Sequence, residues 1–95
     1  MATEIPKENP QLIARLRDGS TCREAFGEVI AMYTESLYWQ IRRMVQNHDD
    51  TNDILQNTFL KAWSSLEQFR GDAKLSTWLY KIAINESLTF LEKER

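Results

Sequence analysis

An all-α fold follows from three features of this 95-residue chain. Its two prolines, Pro6 and Pro10, both lie in the first ten residues, and only Gly19, Gly27 and Gly71 interrupt the remaining 85 positions. Beyond Pro10, apolar residues recur every three or four positions, the period of a helix with one buried face. Residues suited to capping stand where those periodic runs begin. A compact four-helix domain over residues 10–95, preceded by a tail over residues 1–9, accounts for the whole pattern.

The first helix opens at Asn9-Pro10, an N-cap residue followed by proline at the first helical position. Leu12, Ile13 and Leu16 supply a short apolar face that stops near Gly19. Thr21 and Glu24 have capping-box spacing. After them Phe26, Val29, Ile30, Tyr33, Leu37, Ile41 and Met44 trace one side of a long second helix. Gly27 within it is a mild cost, acceptable where packing is close. The second helix should end in the polar cluster Asn47-His48-Asp49-Asp50, with Asp50 or Thr51 capping the third. Leu55, Phe59, Ala62 and Leu66 give the third helix a core face, while Asp53, Gln56, Asn57, Leu60 and Ser64 share another. On spacing alone, that second strip is a solvated face with one stray leucine.

Phe69 to Trp78 is the one long interruption between strongly helical segments, and it combines aromatics, cations and Gly71. A fourth helix starts at Ser76 or Thr77, either of which can cap it. Its apolar residues cover much of its circumference and predict packing against more than one neighbour. Trp78, Lys81, Asn85, Thr89 and Glu92 nevertheless fall along one side at about 100° per residue. Two readings stay open for that strip. Either Trp78 packs inward and Lys81 is solvated, or an aromatic, a cation and an amide meet a nucleic-acid strand through stacking, phosphate contact and base-edge hydrogen bonds.

Composition narrows the function. Twelve Lys+Arg against fourteen Asp+Glu leave a net charge of −2, the wrong balance for a free-standing duplex-DNA binder. One cysteine, Cys22, and one histidine, His48, rule out an internal disulfide and argue against a Cys/His zinc site. Neither a signal-peptide core nor an apolar run of membrane-spanning length occurs, which predicts a soluble cytoplasmic protein without membrane insertion. Asp49-Asp50-x-x-Asp53 has the spacing of a magnesium-diphosphate motif. Acids opening a helix are explained by its dipole, and so small a chain has no room for a prenyl cavity. No enzyme, cofactor or metal is expected.

Three blocks stand in order: Asp53-x-x-Gln56 leading into Phe59-Leu60-Lys61-Ala62-Trp63, then Phe69-Arg70-Gly71-Asp72, then Thr77-Trp78-Leu79-Tyr80-Lys81-Ile82-Ala83-Ile84-Asn85. From about Glu24 onward the chain resembles region 2 of a bacterial RNA polymerase sigma factor of the extracytoplasmic-function (ECF) type. The resemblance implies a domain that binds core polymerase and recognises and melts the promoter minus-ten element. It implies that Asp53, Gln56, Asn57 and Leu60 meet the clamp helices of the largest polymerase subunit. It also implies that Phe69, Arg70, Lys74, Trp78, Lys81 and Asn85 meet the non-template strand, with Phe69 and Asn85 lining the pocket of a flipped base. An anti-sigma factor is a further implied partner. Asn57, where an acidic residue is common, and Thr89, where some relatives carry a second asparagine, depart from the pattern. Relatives continue into a second domain, region 4, that reads the minus-thirty-five element and is absent from this chain, so the chain reads as a truncated piece of a longer protein. The competing expectation is a helical protein-interaction module with no DNA role.

Overall fold

The computed structural model describes residues 4–94, and all regular structure among them is helical. The elements are α1 (Pro10–Leu16), α2 (Cys22–Val45), α3 (His48–Ser64), a single 3-10 turn (Leu66–Gln68) and α4 (Leu75–Lys93). None of these helices is long and apolar enough to cross a membrane. Of the expected 1–9 tail, residues 1–3 lie outside the described residues, as does Arg95 at the far end.

Three of the four helix starts differ from the caps expected of the sequence. Asn9 behaves as expected, its side-chain oxygen accepting from the Gln11 and Leu12 amides at 3.0 and 3.2 Å. Thr21 is the N-cap of α2 but makes no side-chain cap bond. Its hydroxyl instead donates to the Arg15 carbonyl at 2.8 Å, which closes the turn from α1 and leaves no capping box. For α3 the cap is Asn47, whose side chain accepts from the Asp50 amide at 2.9 Å, so Asp50 and Thr51 already belong to the helix. This early start is possible because α2 ends abruptly: Gln46 adopts φ +63°, a left-handed stop more often made by glycine. The fourth helix begins at Leu75, one residue before the expected serine, and its cap comes from far away in sequence.

Contacts between rings establish how the helices lie. At one end of α2 the ring of Phe26 is 6.4 Å from that of Phe59 and 5.2 Å from that of Trp63. At the other end Tyr38 lies 5.7 Å from His48, so α2 and α3 run antiparallel. Helix α4 packs on both, and α1 packs on α2. The core they enclose contains Leu12 and Leu16 of α1, Val29, Tyr33, Leu37 and Ile41 of α2, Ile54 and Ala62 of α3, and Leu79 and Ala83 of α4. Among the described residues no buried side-chain polar atom lacks a partner, and the buried Thr58 and Ser87 donate to the carbonyls of Ile54 and Ala83, one turn back in their own helices, each at 2.8 Å. Between α1 and α2 an ion pair joins Arg15 and Glu28, both well exposed, where solvent screens most of the attraction.

Candidate nucleic-acid and partner interfaces

The strip Asp53, Gln56, Asn57, Leu60 and Ser64 is exposed along its whole length, as its separation from the core face of α3 requires. Its apolar member does not stand alone. Leu60 is 66% exposed and, with Phe26, Ile30, Gln56, Phe59 and Trp63, lines an open groove of about 450 Å³ between α2 and α3. Gln56 is the only residue of that groove with a polar side chain for binding a partner's backbone, apart from the indole N–H of Trp63. Phe26 anchors the floor, and the exposed Ile30 and Trp63 form the walls. Sequence reasoning places Ile30 in the core because it follows the i, i+3, i+4 pattern of Phe26, Val29 and Tyr33. It sits instead at the edge of that stripe. Trp63 could have been found as the aromatic closing the Phe59-to-Trp63 block.

On α4, Lys81, Asn85, Thr89 and Glu92 are exposed, while Trp78 is half-buried and packs against the core. The Asn85 carboxamide makes no hydrogen bond with the described residues, so its donor and acceptor are both available. Arg70 and Lys74 are exposed on the loop between the 3-10 turn and α4. Gly71 turns that loop with φ +83°, and a Cβ there would lie 3.7 Å from the Ile13 side chain. The loop therefore rests on α1.

Phe69 is mostly enclosed, though it reaches the lining of an open cleft. It is expected from the resemblance to present a face to a flipped base, but it is only 5% exposed, and its ring lies 5.0 Å from that of Trp78 with the planes tilted by 33°. The reason is the chain path: the 3-10 turn ends by bonding the Phe69 amide to the Leu66 carbonyl at 3.0 Å, and the side chain becomes part of the core. From there Phe69 backs the half-buried indole of Trp78. The open cleft that Phe69 lines, of about 840 Å³, lies between the α1–α2 turn and the 3-10 turn, with Arg17 and Arg70 on its walls. Arg17 is a cation that sequence reasoning does not select, since nothing in its neighbourhood in the chain points to the loop.

The start of α4 is held by the N-terminal segment. The Glu8 carboxylate accepts from the Leu75 amide at 2.7 Å and from the Ser76 amide at 3.3 Å, and Lys74 at the N-cap position offers no side-chain acceptor. Tyr33 lies near the same carboxylate. Burial first, and then the charge of Glu8, push its phenol up to about 12. Elsewhere His48 sits between the Tyr38 hydroxyl, 2.6 Å from Nδ1, and the Asn52 carboxamide, 3.1 Å from Nε2. No cluster of three His, Cys, Asp or Glu residues able to hold a metal ion occurs among the described residues.

Residues 29–95 match the family model described as Sigma-70 region 2. The chain belongs to that family. It is 34% identical over 85 residues to the RNA polymerase sigma-H factor of Pseudomonas aeruginosa, covering 90% of this chain and 43% of that one. To the ECF RNA polymerase sigma-E factor of Haemophilus influenzae it is 34% identical over 80 residues, 84% of this chain and 41% of the other. The ECF sigma factor SigW of Bacillus subtilis is 32% identical over 73 residues, 77% of this chain and 39% of the relative. The chain thus spans less than half the length of these relatives. Its fold is similar to the NMR structure of an engineered region 2 of sigmaE in complex with GTAAAA, with a TM-score of 0.78 and 31% identity over 88% of this chain and 85% of that one.

Proposed function

We propose that this chain is the part of an ECF-type sigma factor that docks on core RNA polymerase and recognises and melts the promoter minus-ten element. It acts through binding free energy and performs no covalent chemistry. The observation that supports this best is the pairing of two separate exposed surfaces on a Sigma-70 region 2 domain: an apolar groove on α2 and α3, and a cation-and-amide strip on α4. The groove suits a helical partner, with Leu60 and Trp63 as apolar anchors and Asp53, Gln56 and Asn57 as its polar margin. The clamp helices of the largest polymerase subunit are that partner in this reading. The α4 strip suits an unstacked strand, with Trp78 stacking, Arg70, Lys74 and Lys81 on phosphates, and Asn85 on a base edge.

Because the chain carries a net charge of −2, it binds single strands weakly and intact duplex hardly at all, and core polymerase supplies the missing attraction. An anti-sigma factor as a further partner and a cytoplasmic location belong to the same reading.

The test is a titration of this chain with fluorescent GTAAAA, the strand bound by the sigmaE region 2 neighbour, and with a scrambled strand of equal composition. Preferential binding of the ordered strand is expected. Equal affinity for the two would reject sequence-specific capture by this domain, and no binding to either would favour an interaction module that uses the α2–α3 groove alone.

A further inference from the structure

We infer that Glu8 is a positioning residue for the strand-binding surface, clamping the start of α4 and the loop before it from the N-terminal segment. This rests on the reading of α4 as the strand-binding element.

A helix begins with backbone N–H groups that have no partner within it, and a side chain next to the first turn usually satisfies them. Helix α4 has no such neighbour. Lys74 precedes it, and the Ser76 and Thr77 hydroxyls make no cap bond. The first two amides turn to Glu8, 67 and 68 residues earlier in the chain. Leu75 is 3% and Ser76 8% exposed, so water is a poor substitute for the carboxylate there. The negative charge also lies at the positive end of the helix dipole. Burial raises the phenol of Tyr33 in α2, and the Glu8 charge is near enough to raise it further, which puts the carboxylate close to the core.

Five exposed residues, 70 to 74, span the gap between the buried anchors Phe69 and Leu75. The N-terminal part of the chain holds this span at two points, Ile13 beneath Gly71 and Glu8 on Leu75 and Ser76. Arg70 and Lys74 lie within it, and Trp78 comes one turn into the helix. Releasing Glu8 lets the first turn of α4 fray, and the cations and the indole lose their common geometry. The α2–α3 groove is built from other residues and is unaffected. Glu8 thereby governs one binding surface and not the other.

The experiment compares the 95-residue chain with Glu8→Ala, Glu8→Gln and Val29→Ala, the last a core change that lowers stability by itself and removes neither of the Glu8 hydrogen bonds. Affinity for GTAAAA is measured well below every melting temperature, and hydrogen exchange of the Leu75 and Ser76 amides is followed by NMR. Glu8→Ala should lose about tenfold in strand affinity and expose both amides to exchange. Glu8→Gln, which keeps one acceptor oxygen, should fall between it and the parent, and Val29→Ala should keep the parent's affinity. Unchanged affinity in Glu8→Ala, or an equal loss in Val29→Ala, overturns the inference. If the parent chain holds no strand, the DNA reading fails, and amide exchange alone decides the clamp: unchanged exchange in Glu8→Ala rejects it.

Discussion

Phe69 and Trp78 share one contact across the loop, their rings 5.0 Å apart, with Phe69 nearly buried and Trp78 half-buried. The two aromatics are therefore separable by mutation. Phe69→Ala removes a core ring and should cost about 3–5 kcal/mol, most of the stability of a small domain. Trp78→Ala should cost less stability and at least tenfold in strand affinity, since stacking one base contributes about 1–3 kcal/mol. Thermal melts and strand titrations of the pair check this. A folded Trp78→Ala domain with undiminished affinity would exclude the indole from the site.

Leu60 is two-thirds exposed in the groove and is not part of the buried core. Leu60→Asp should leave the melting temperature close to the parent's and weaken binding to a clamp-helix fragment by more than about tenfold, as a charge cannot occupy an apolar anchor pocket. Gln56→Ala should weaken it less. Unchanged binding in both variants, read by calorimetric titration, would take α3 out of the polymerase contact.

Asn85 and Lys81 differ in what they can read. On the proposed function, Asn85→Ala should narrow the gap between ordered and scrambled strands by removing base-edge hydrogen bonds. Lys81→Ala should weaken both strands alike and flatten the salt dependence by roughly one phosphate contact. Titrations at two salt concentrations distinguish the outcomes, and a sequence-dependent loss in Lys81→Ala would contradict the assignment of roles.

Gly27 and Gln46 are each the less favourable residue for their backbone. Gly27 lies exposed inside α2 with open space where a Cβ would go, so the close packing expected to excuse it is absent. Gly27→Ala should stabilise by about 0.5–1 kcal/mol. Gln46→Gly relieves the left-handed stop at φ +63° and should stabilise by a similar amount. Urea midpoints of the single and double variants measure both, and the two gains should add because the sites share no contact.

Tyr33 makes stability depend on pH at the alkaline end. Its folded value, about 12, lies above the ordinary 10, so the folded state holds the phenol proton more tightly than the unfolded chain. The stabilisation is complete below pH 10 and declines as pH rises from there towards 12, by up to about 2 kcal/mol. Tyr33→Phe should remove that part of the decline. An identical alkaline slope in parent and variant would show that other groups cause it.

Local pattern alone determined that this chain is helical, where its helices lie to within three or four residues, and which sides of α3 and α4 face outward. Asp53, Gln56, Asn57 and Leu60 are exposed because helical periodicity sets them apart from Leu55 and Ala62, and the same holds for Lys81 and Asn85 against Leu79 and Ala83. Periodicity needs no knowledge of neighbours. Tertiary structure decided what depends on residues meeting across the fold. Asn47, not Asp50, caps α3 because Gln46 ends α2 sharply, and Thr21 bonds Arg15 in place of its own helix. Ile30 became a groove wall once α3 crossed beside it, and Phe69 became core once Trp78 closed over it. Glu8 carries no local sign of its role, since a carboxylate that caps a helix 67 residues away is recognisable only after the chain has brought the two together.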